Sequence, residues 1–274
     1  MLVSFTIKGY GCFNDEQCLD MTQHLKIKTR NQVVYDDDFS LPIEFKNKSL
    51  GKELNAVNKV TGIFGKNGTG KSCILDALFS GFAYPGESNF VKTIASISNT
   101  FEKFFSNGYD VQVEIFIDDI LYEYNRKYNN VELFKTKNKK NSRKHKVVTK
   151  KEIQKVEKHL RSLVCKYNDC WPAFDKNSAM ECPQIKEFVS ALGCSSDKIV
   201  KICSLLKVCL LEQQKVVLID NITDGLSEEV VKQIIYWFTS YINKMNSQLI
   251  FTSHSTGVLN SLSPNQIIIL LNKL

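Results

Sequence analysis

The stretch of sequence that decides the fold is residues 65–72, which read Gly65-Lys66-Asn67-Gly68-Thr69-Gly70-Lys71-Ser72. It satisfies the pattern G-x-x-x-x-G-K-[ST], which is specific when a strand precedes it and a helix follows. The β-rich run NKVTGIF ends at Phe64, and apolar residues recur at helical spacing from Lys71 to Phe82. The sequence therefore predicts a phosphate-binding loop (P-loop) between a strand and a helix.

Each residue type in this loop has a chemical reason. Glycines allow successive backbone N–H groups to turn inward around an anion at a helix N-terminus. Lys71 then supplies a positive charge to the β- and γ-phosphates, and Ser72 supplies a hydroxyl to Mg²⁺. We therefore predict ATP and Mg²⁺ as cofactors, with residues 65–72 binding the nucleotide and Ser72 also binding the metal.

The composition is that of a folded globular protein. The 274 residues are 43% apolar and 24% charged, with 13 Gly and 5 Pro, which excludes low-complexity and collagen-like chains. A chain of this length buries roughly three quarters of its unfolded surface, so we expect a single domain over residues 1–274. Within it we expect an N-terminal lobe (1–136), a basic loop with a helical lobe (137–211) and a C-terminal lobe (212–274).

The sequence contains neither a run long enough to span a membrane nor a secretory leader, so we expect a cytoplasmic protein. The nine cysteines agree, because an odd number without regular spacing is a poor disulfide framework. Six of them lie between positions 165 and 209, which raises zinc as an alternative. No C-x-x-C pair is present, which favours structural cysteines.

The pattern of apolar residues predicts two kinds of sheet. Residues 1–22, with a break at Gly9-Tyr10-Gly11, read as a strand pair, and residues 109–136 read as an antiparallel meander. Helical spacing marks residues 71–82, 89–107, 151–167 and 185–211. In the last third, apolar strands at 215–219, 248–252 and 266–271 alternate with a helix that Ser227 is placed to cap.

This alternation predicts an α/β fold: a mostly parallel central sheet flanked by helices, with an N-terminal antiparallel β subdomain and a helical subdomain. Polar residues follow two of the buried strands. Asp220 fits the carboxylate that a magnesium site needs beside a P-loop, with an ordinary strand-terminal aspartate as the alternative. His254 stands where a γ-phosphate sensor would, although a lone histidine is more often structural.

Together, these motifs resemble those of ABC-type ATPases. Four stretches carry the likeness: 65–72 (Walker A), 216–220 (Walker B), 224–227, DGLS (D-loop) and 252–255, TSHS (switch histidine). The likeness is strongest to the OLD-like, RecF-like and SMC-head branch, whose antiparallel subdomain is similar to the N-terminal strand pair and meander. The resemblance implies a P-loop ATPase head, of which two sandwich two nucleotides, with His254 as a catalytic residue.

Two departures from the family bear on activity. Cys194-Ser195-Ser196-Asp197 stands at the signature loop, where Ser195 would donate a hydrogen bond to nucleotide but Asp197 would repel the γ-phosphate. The family's glutamate after the Walker B aspartate is replaced by Asn221. An amide cannot accept a proton from the attacking water, and general-base assistance is typically worth ~10²–10⁴ in rate. We expect slow hydrolysis, with Asp224 as the substitute base.

The net charge of +7 is concentrated in one segment. Residues 135–151 hold nine Lys and Arg and no acidic residue, which leaves 27 basic and 29 acidic residues elsewhere. Such a run either contacts nucleic-acid phosphates or forms a solvated loop, and it lacks the aromatic residues on which bases stack. A nucleic-acid contact would use Lys135, Lys137, Lys139, Lys140, Arg143, Lys144 and Lys146.

The favoured hypothesis is an ATP-binding ABC-type ATPase, paired with itself or with a related ATPase subunit, that regulates an effector. As the resemblance implies, it would serve phage defence or another DNA transaction. Because the Toprim nuclease domain of OLD proteins has no counterpart before Leu274, we expect the effector to be a separate protein. The alternatives are a non-hydrolysing pseudo-ATPase, favoured by Asn221 and Asp197, and a RecF-like or SMC-like DNA clamp, supported by the basic run.

Overall fold

The computed structural model describes a series of segments separated by gaps. These are residues 1–24, 26–29, 32–34, 43–44, 54–83, 109–117, 120–127, 130–136, 144–147, 149–166, 183–192, 197–211, 214–240 and 246–271. They divide into two units, each built from more than one stretch of the chain. The first takes its described residues from Met1–Asp38, Pro42–Asn58 and Ser72–Leu163, and the second from Lys59–Lys71 and Val164–Leu274. The three predicted lobes stay a prediction.

The described strands are β1 (Leu2–Lys8), β2 (Gln17–Asp20), β3 (Thr22–His24), β4 (Lys26–Thr29), β5 (Gln32–Val34), β6 (Ile43–Glu44), β7 (Leu54–Val57), β8 (Val60–Gly65), β9 (Asp110–Ile117), β10 (Ile120–Lys127), β11 (Asn130–Thr136), β12 (Lys144–Val147), β13 (Val164–Lys166), β14 (Val216–Ile219), β15 (Gln248–Ser253) and β16 (Ile267–Leu270). The described α-helices are α1 (Lys71–Ala83), α2 (Lys150–Leu163), α3 (Pro183–Leu192), α4 (Asp197–Leu211), α5 (Glu228–Thr239) and α6 (Thr256–Leu259). A 3₁₀ turn spans Pro264–Gln266.

The first unit is built on an antiparallel sheet of strand order β12-β11-β10-β9-β1-β2. Alternation along β1 buries Val3, Phe5 and Ile7 between more exposed polar neighbours, as one covered face of a sheet requires. The predicted strand pair and meander are both confirmed by the antiparallel pairing of β1 with β2 and of β10 with β9 and β11. Two small sheets, β3-β7-β6 and β4-β5, complete the described strands of this unit.

Helix α1 packs on β1 and on the turn that follows it. The ring of Phe82 stacks 6.3 Å from the ring of Phe5. Tyr10, in the turn, is 1% exposed, and its hydroxyl lies 3.3 Å from Ser80 Oγ. The turn itself is closed by a hydrogen bond of 2.7 Å from the Gly9 N–H to the Phe13 carbonyl oxygen. Helix α1 is therefore held against both β1 and the turn.

The second unit is built on a parallel sheet of strand order β13-β14-β15-β8-β16. Every neighbouring pair in it runs parallel. Strands β14 and β15 are buried along their whole length, as expected for parallel strands covered on both faces. The predicted α/β fold with a parallel central sheet is confirmed.

The core of this unit joins the sheet to α3, α4 and α5. Helix α5 begins at its predicted cap, since the Ser227 hydroxyl accepts a hydrogen bond of 3.4 Å from the Val230 N–H. Its apolar face buries Ile234, Trp237 and Phe238, whereas Tyr236 on the opposite face is 60% exposed. The helix is thus held by one apolar face, as its sequence period predicts.

Two predictions of local structure are wrong. The helix predicted to reach residue 167 ends at Leu163, because Val164–Lys166 pairs with β14 and its backbone is satisfied by the sheet instead of a further helical turn. The helical pattern at 185–211 corresponds to α3 and α4. Part of the basic segment, expected to be a loop, is strand β12, which pairs with β11. The predicted helix at 89–107 lies outside the described residues.

Truncation of two neighbouring aromatic residues on α5 tests which of its faces is buried. We expect Trp237→Ala to lower the free energy of unfolding by about 3–5 kcal/mol, because it leaves a large cavity in the core. Tyr236→Ala, the matched control one residue earlier, is expected to change it by less than about 0.5 kcal/mol. Urea denaturation followed by circular dichroism measures both. Equal losses in the two variants would contradict the assigned faces.

Candidate nucleotide-binding site

The parallel sheet brings three predicted site elements to one edge, because parallel strands present their carboxyl ends together. Strand β15 lies between β14 and β8, with Ile219 opposite Phe251 and Phe64 opposite Ser253. The P-loop follows β8, Asp220 follows β14 and His254 follows β15. These residues, distant in the sequence, are therefore neighbours at the edge of the sheet.

The shape of the P-loop depends on its first glycine. Gly65 has φ +156°, and a Cβ there would lie 2.6 Å from the carbonyl oxygen of Leu270 and 2.8 Å from Thr69 Oγ1. A side chain at this position would therefore collide with backbone. Further along, the Thr69 hydroxyl donates a 2.9 Å hydrogen bond to the Lys66 carbonyl oxygen, which closes a turn. Residues Asn67, Gly68 and Gly70 complete the loop, in which Gly68 (φ +80°) adopts a conformation that favours glycine.

The Lys71 side chain folds back onto the start of the P-loop. Its Nζ donates 2.8 Å hydrogen bonds to the carbonyl oxygens of Gly65 and Lys66, and the residue is 7% exposed. Burial lowers the pKa of the Lys71 ammonium, and the nearby Asp220 carboxylate acts in the opposite direction. Both acceptors are neutral carbonyl oxygens, so an anionic phosphate oxygen would bind this cation more strongly than they do. The loop therefore fits a phosphate group.

Ser72 is the second residue of α1 and is exposed. Since α1 begins at Lys71, the first N–H groups of the helix have no carbonyl partner within it and are oriented to bind an anion. The predicted role of the Ser72 hydroxyl as a magnesium ligand stays a prediction. A hydroxyl and a carboxylate are ligands of the hard-oxygen type that Mg²⁺ prefers, so the donor set fits this metal.

Thr252, for which the sequence indicated no role, positions Asp220. The buried hydroxyl of Thr252 donates a 2.5 Å hydrogen bond to Asp220 Oδ1 and accepts one of 2.7 Å from the Asn221 N–H. Thr252 is 1% exposed. One hydroxyl thus fixes both the carboxylate and the backbone that follows it. The TSHS stretch contained this threonine, but nothing in the pattern indicated its partner.

The backbone after Asp220 forms a tight turn that starts with an unusual conformation. Asn221 has φ +45°, and its carbonyl oxygen accepts a 2.9 Å hydrogen bond from the Asp224 N–H. Asparagine enters this left-handed region more readily than residues with longer side chains, for which it costs about 1–2 kcal/mol. The side chain of Asn221 is exposed and within 3.5 Å of the Thr223 hydroxyl. The backbone at position 221 therefore has a conformation that asparagine adopts more readily than glutamate does.

Lys198 holds the same turn from helix α4. Its Nζ donates to the carbonyl oxygens of Asn221, at 3.1 Å, and of Asp224. Burial lowers the pKa of Lys198, while the carboxylates of Asp224 and Asp220 act in the opposite direction. The lysine therefore connects the start of α4 with the turn after β14. No sequence signal pointed to Lys198, because its partners lie more than twenty residues away.

His254 is exposed at the end of β15 and lines a groove of about 780 Å³ beside the P-loop. Next to it, Ser255 caps α6 by accepting a 3.1 Å hydrogen bond from the Val258 N–H, and its hydroxyl donates to Glu228. The far wall of the groove is apolar and includes Ile269 and Leu271, which are 59% and 82% exposed. The groove thus has one wall formed by the P-loop and one apolar wall.

Several predicted contacts fall on residues that the structure does not describe: Ser195, Lys137, Lys139, Lys140 and Arg143. Of the remaining basic residues, Lys135 pairs with Glu152 at 2.8 Å and Lys146 with Glu132 at 2.5 Å. Lys144 is the first residue of β12. Two positive charges of the basic segment are therefore balanced within the first unit.

In the described part of the chain, no cluster of metal-ligating side chains supports the zinc alternative. No group of three or more His, Cys, Asp or Glu residues lies close enough there to hold a metal ion. Cys165, Cys203 and Cys209 are not joined in disulfides, and the other three cysteines of the group lie outside the described residues. Among the described helices, none has both the length and the apolar character needed to cross a membrane.

Comparison with known proteins bears on the fold. No protein-family model and no curated protein matches the chain. A solved SMC head bound to the C-winged helix domain of ScpA is 12% identical, covers 98% of this chain and 93% of its own, and has a TM-score of 0.53. The SMC head domain from Thermotoga maritima is 13% identical, covers 96% and 92%, and has a TM-score of 0.50. The chain therefore has the fold of SMC head domains.

Removing the Thr252 hydroxyl tests the network around Asp220. We expect Thr252→Val, which keeps the shape, to lower the free energy of unfolding by about 1–3 kcal/mol, because the partly buried Asp220 carboxylate and the Asn221 N–H both lose their partner. Thr252→Ser is the control, since it keeps the hydroxyl. Urea denaturation measures both. A valine variant as stable as the serine variant would contradict the network.

Proposed function

We propose that this protein is an ATP-binding ABC-type ATPase head that hydrolyses ATP slowly. One observation carries the proposal: a P-loop with a buried lysine, a hydrogen-bonded aspartate and an exposed histidine follow three neighbouring strands of one parallel sheet. ATP-binding folds of this class place phosphate, metal and γ-phosphate sensor at such an edge. The fold shared with SMC head domains supports the same assignment.

In this proposal each residue has a defined task. Lys71 exchanges its two carbonyl partners for oxygens of the β- and γ-phosphates, with which its charge interacts more strongly. Asp220 and Ser72 hold Mg²⁺, which neutralises phosphate charge when bound. Thr252 keeps the Asp220 carboxylate in place. His254, exposed beside the loop, contacts the γ-phosphate.

Slow hydrolysis follows from the turn after β14. Asn221 supplies no base, and Asp224, the candidate substitute, is in the same turn, where its carboxylate interacts with the Lys198 ammonium. An amide at position 221 cannot accept a proton from the attacking water. ATP would therefore persist in the site. Asn221 directly after Asp220 is also the specific observation that favours the second candidate, a non-hydrolysing pseudo-ATPase.

We further propose that bound ATP pairs two heads, either two copies or this chain with a related subunit, and that the pair controls a separate effector. The solved SMC head bound to a domain of another protein supports an effector that docks as a separate chain. The role in phage defence or another DNA transaction rests on the motifs. Direct DNA contact through the basic segment has less support, because Lys135 and Lys146 are paired with glutamates.

Substitution of the P-loop lysine tests nucleotide binding. We expect Lys71→Ala to weaken ATP binding by about 1.5–3 kcal/mol, or roughly tenfold to more than hundredfold, because charge-assisted hydrogen bonds to phosphate are lost. Lys186→Ala is the control, since Lys186 is exposed on α3, outside the loop. Calorimetric titration with ATP and Mg²⁺ measures affinity, and sedimentation of the same samples measures pairing. Equal affinity in the Lys71 variant would rule out the site.

Restoring a carboxylate tests the cause of slow turnover. We expect Asn221→Glu to raise the steady-state rate of phosphate release by up to ~10²–10⁴. Asn221→Gln is the matched control, because it has the same length and the same left-handed strain but no base. A rise in the glutamate variant alone means that only the base was missing. An equal rate in both variants would contradict this explanation and point to the signature segment.

A further inference from the structure

Two cysteines meet beside the P-loop helix within the first unit. Cys12 is exposed in the turn between β1 and β2, and Cys73, the third residue of α1, is partly buried. The Cys73 thiol is within hydrogen-bonding reach of both the backbone and the side chain of Cys12. Residues far apart in the sequence thus place two sulfur atoms next to each other.

The turn is shaped to receive the Cys73 sulfur. Gly11 has φ +58°, and a Cβ at this position would lie 2.2 Å from Cys73 Sγ. Any other residue there would force the sulfur away. The turn is also fixed on both sides, by the Gly9–Phe13 hydrogen bond and by buried Tyr10, whose hydroxyl lies 3.3 Å from Ser80 Oγ on α1. The two thiols are therefore held together before any bond forms.

We infer that Cys12 and Cys73 are a redox pair: peroxide joins their sulfurs in a disulfide, and this bond weakens nucleotide binding at the adjoining loop. The second half of the inference rests on the proposed function. Disulfides inside cells are usually transient and redox-sensing. The position suits such a sensor, because Cys73 directly follows Ser72 and is two residues from Lys71.

The exposures of the two cysteines assign the order of the chemistry. Cys12 is exposed and therefore open to dissolved peroxide, whereas Cys73 is only partly exposed. The Cys12 sulfur attacks one peroxide oxygen as its thiol proton leaves, the O–O bond breaks, and the departing hydroxide takes up that proton as water, which gives a sulfenic acid on Cys12. The Cys73 sulfur then attacks the Cys12 sulfur, its proton leaves with the hydroxide as a second water, and the S–S bond forms. Peroxide takes up the two electrons that the thiols lose.

The bond would act on the start of α1. Forming it draws the turn and the first turn of the helix together, and Ser72, which directly precedes Cys73, moves with it. Phosphate binding depends on the placement of the start of the helix, so a small displacement lowers affinity. A thiol reductant would reverse the change.

Mass spectrometry and calorimetry of the full chain test the inference. After treatment with hydrogen peroxide we expect a peptide crosslink between Cys12 and Cys73, absent in Cys12→Ser and Cys73→Ser and retained in Cys18→Ser, the control with another exposed cysteine. ATP affinity should fall about tenfold, a change of about 1.4 kcal/mol, and recover with a dithiol.

Each outcome decides one part. No crosslink, or one that requires Cys18, overturns the redox pair. A crosslink with unchanged ATP affinity overturns the effect on nucleotide. Failure of the reduced protein to bind ATP overturns the proposed function while the crosslink, read by mass, still tests the pair.

Discussion

The parallel register of β14, β15 and β8 is the constraint on which the site depends. Each strand ends at the same edge, so the polar residues that follow them meet without any direct sequence relation. Strand β8 carries the P-loop, and β16 lies on its other side, where the Leu270 carbonyl oxygen leaves room only for glycine at position 65. The sheet thus sets both the position of the loop and the identity of its first residue.

Around this edge, single side chains hold the backbone in place. Thr252 fixes Asp220 and Asn221 through one hydroxyl, and Lys198 fixes the carbonyl oxygens of the turn that follows. These groups come from three separate parts of the chain. Asn221 therefore starts a turn whose backbone is held by residues from other parts of the chain.

The sequence was informative where the structural cause is local. The spacing within residues 65–72 and the apolar runs of the parallel strands predict the P-loop and the α/β fold, because both depend on neighbouring residues. Strand β13 was missed, since Val164–Lys166 continues a helical pattern and its partner β14 lies about fifty residues later. Thr252 and Lys198 were missed for the same reason. Their roles depend on contacts that no local pattern encodes.

The edge strand of the parallel sheet affects how the protein behaves in concentrated solution. Within the described residues β16 has a neighbour on one side only, and Ile269 in it and Leu271 just after it are largely exposed. An open strand edge with apolar side chains promotes edge-to-edge association of copies. Such association would increase with protein concentration. Colloidal stability of the purified protein therefore depends on what covers this edge.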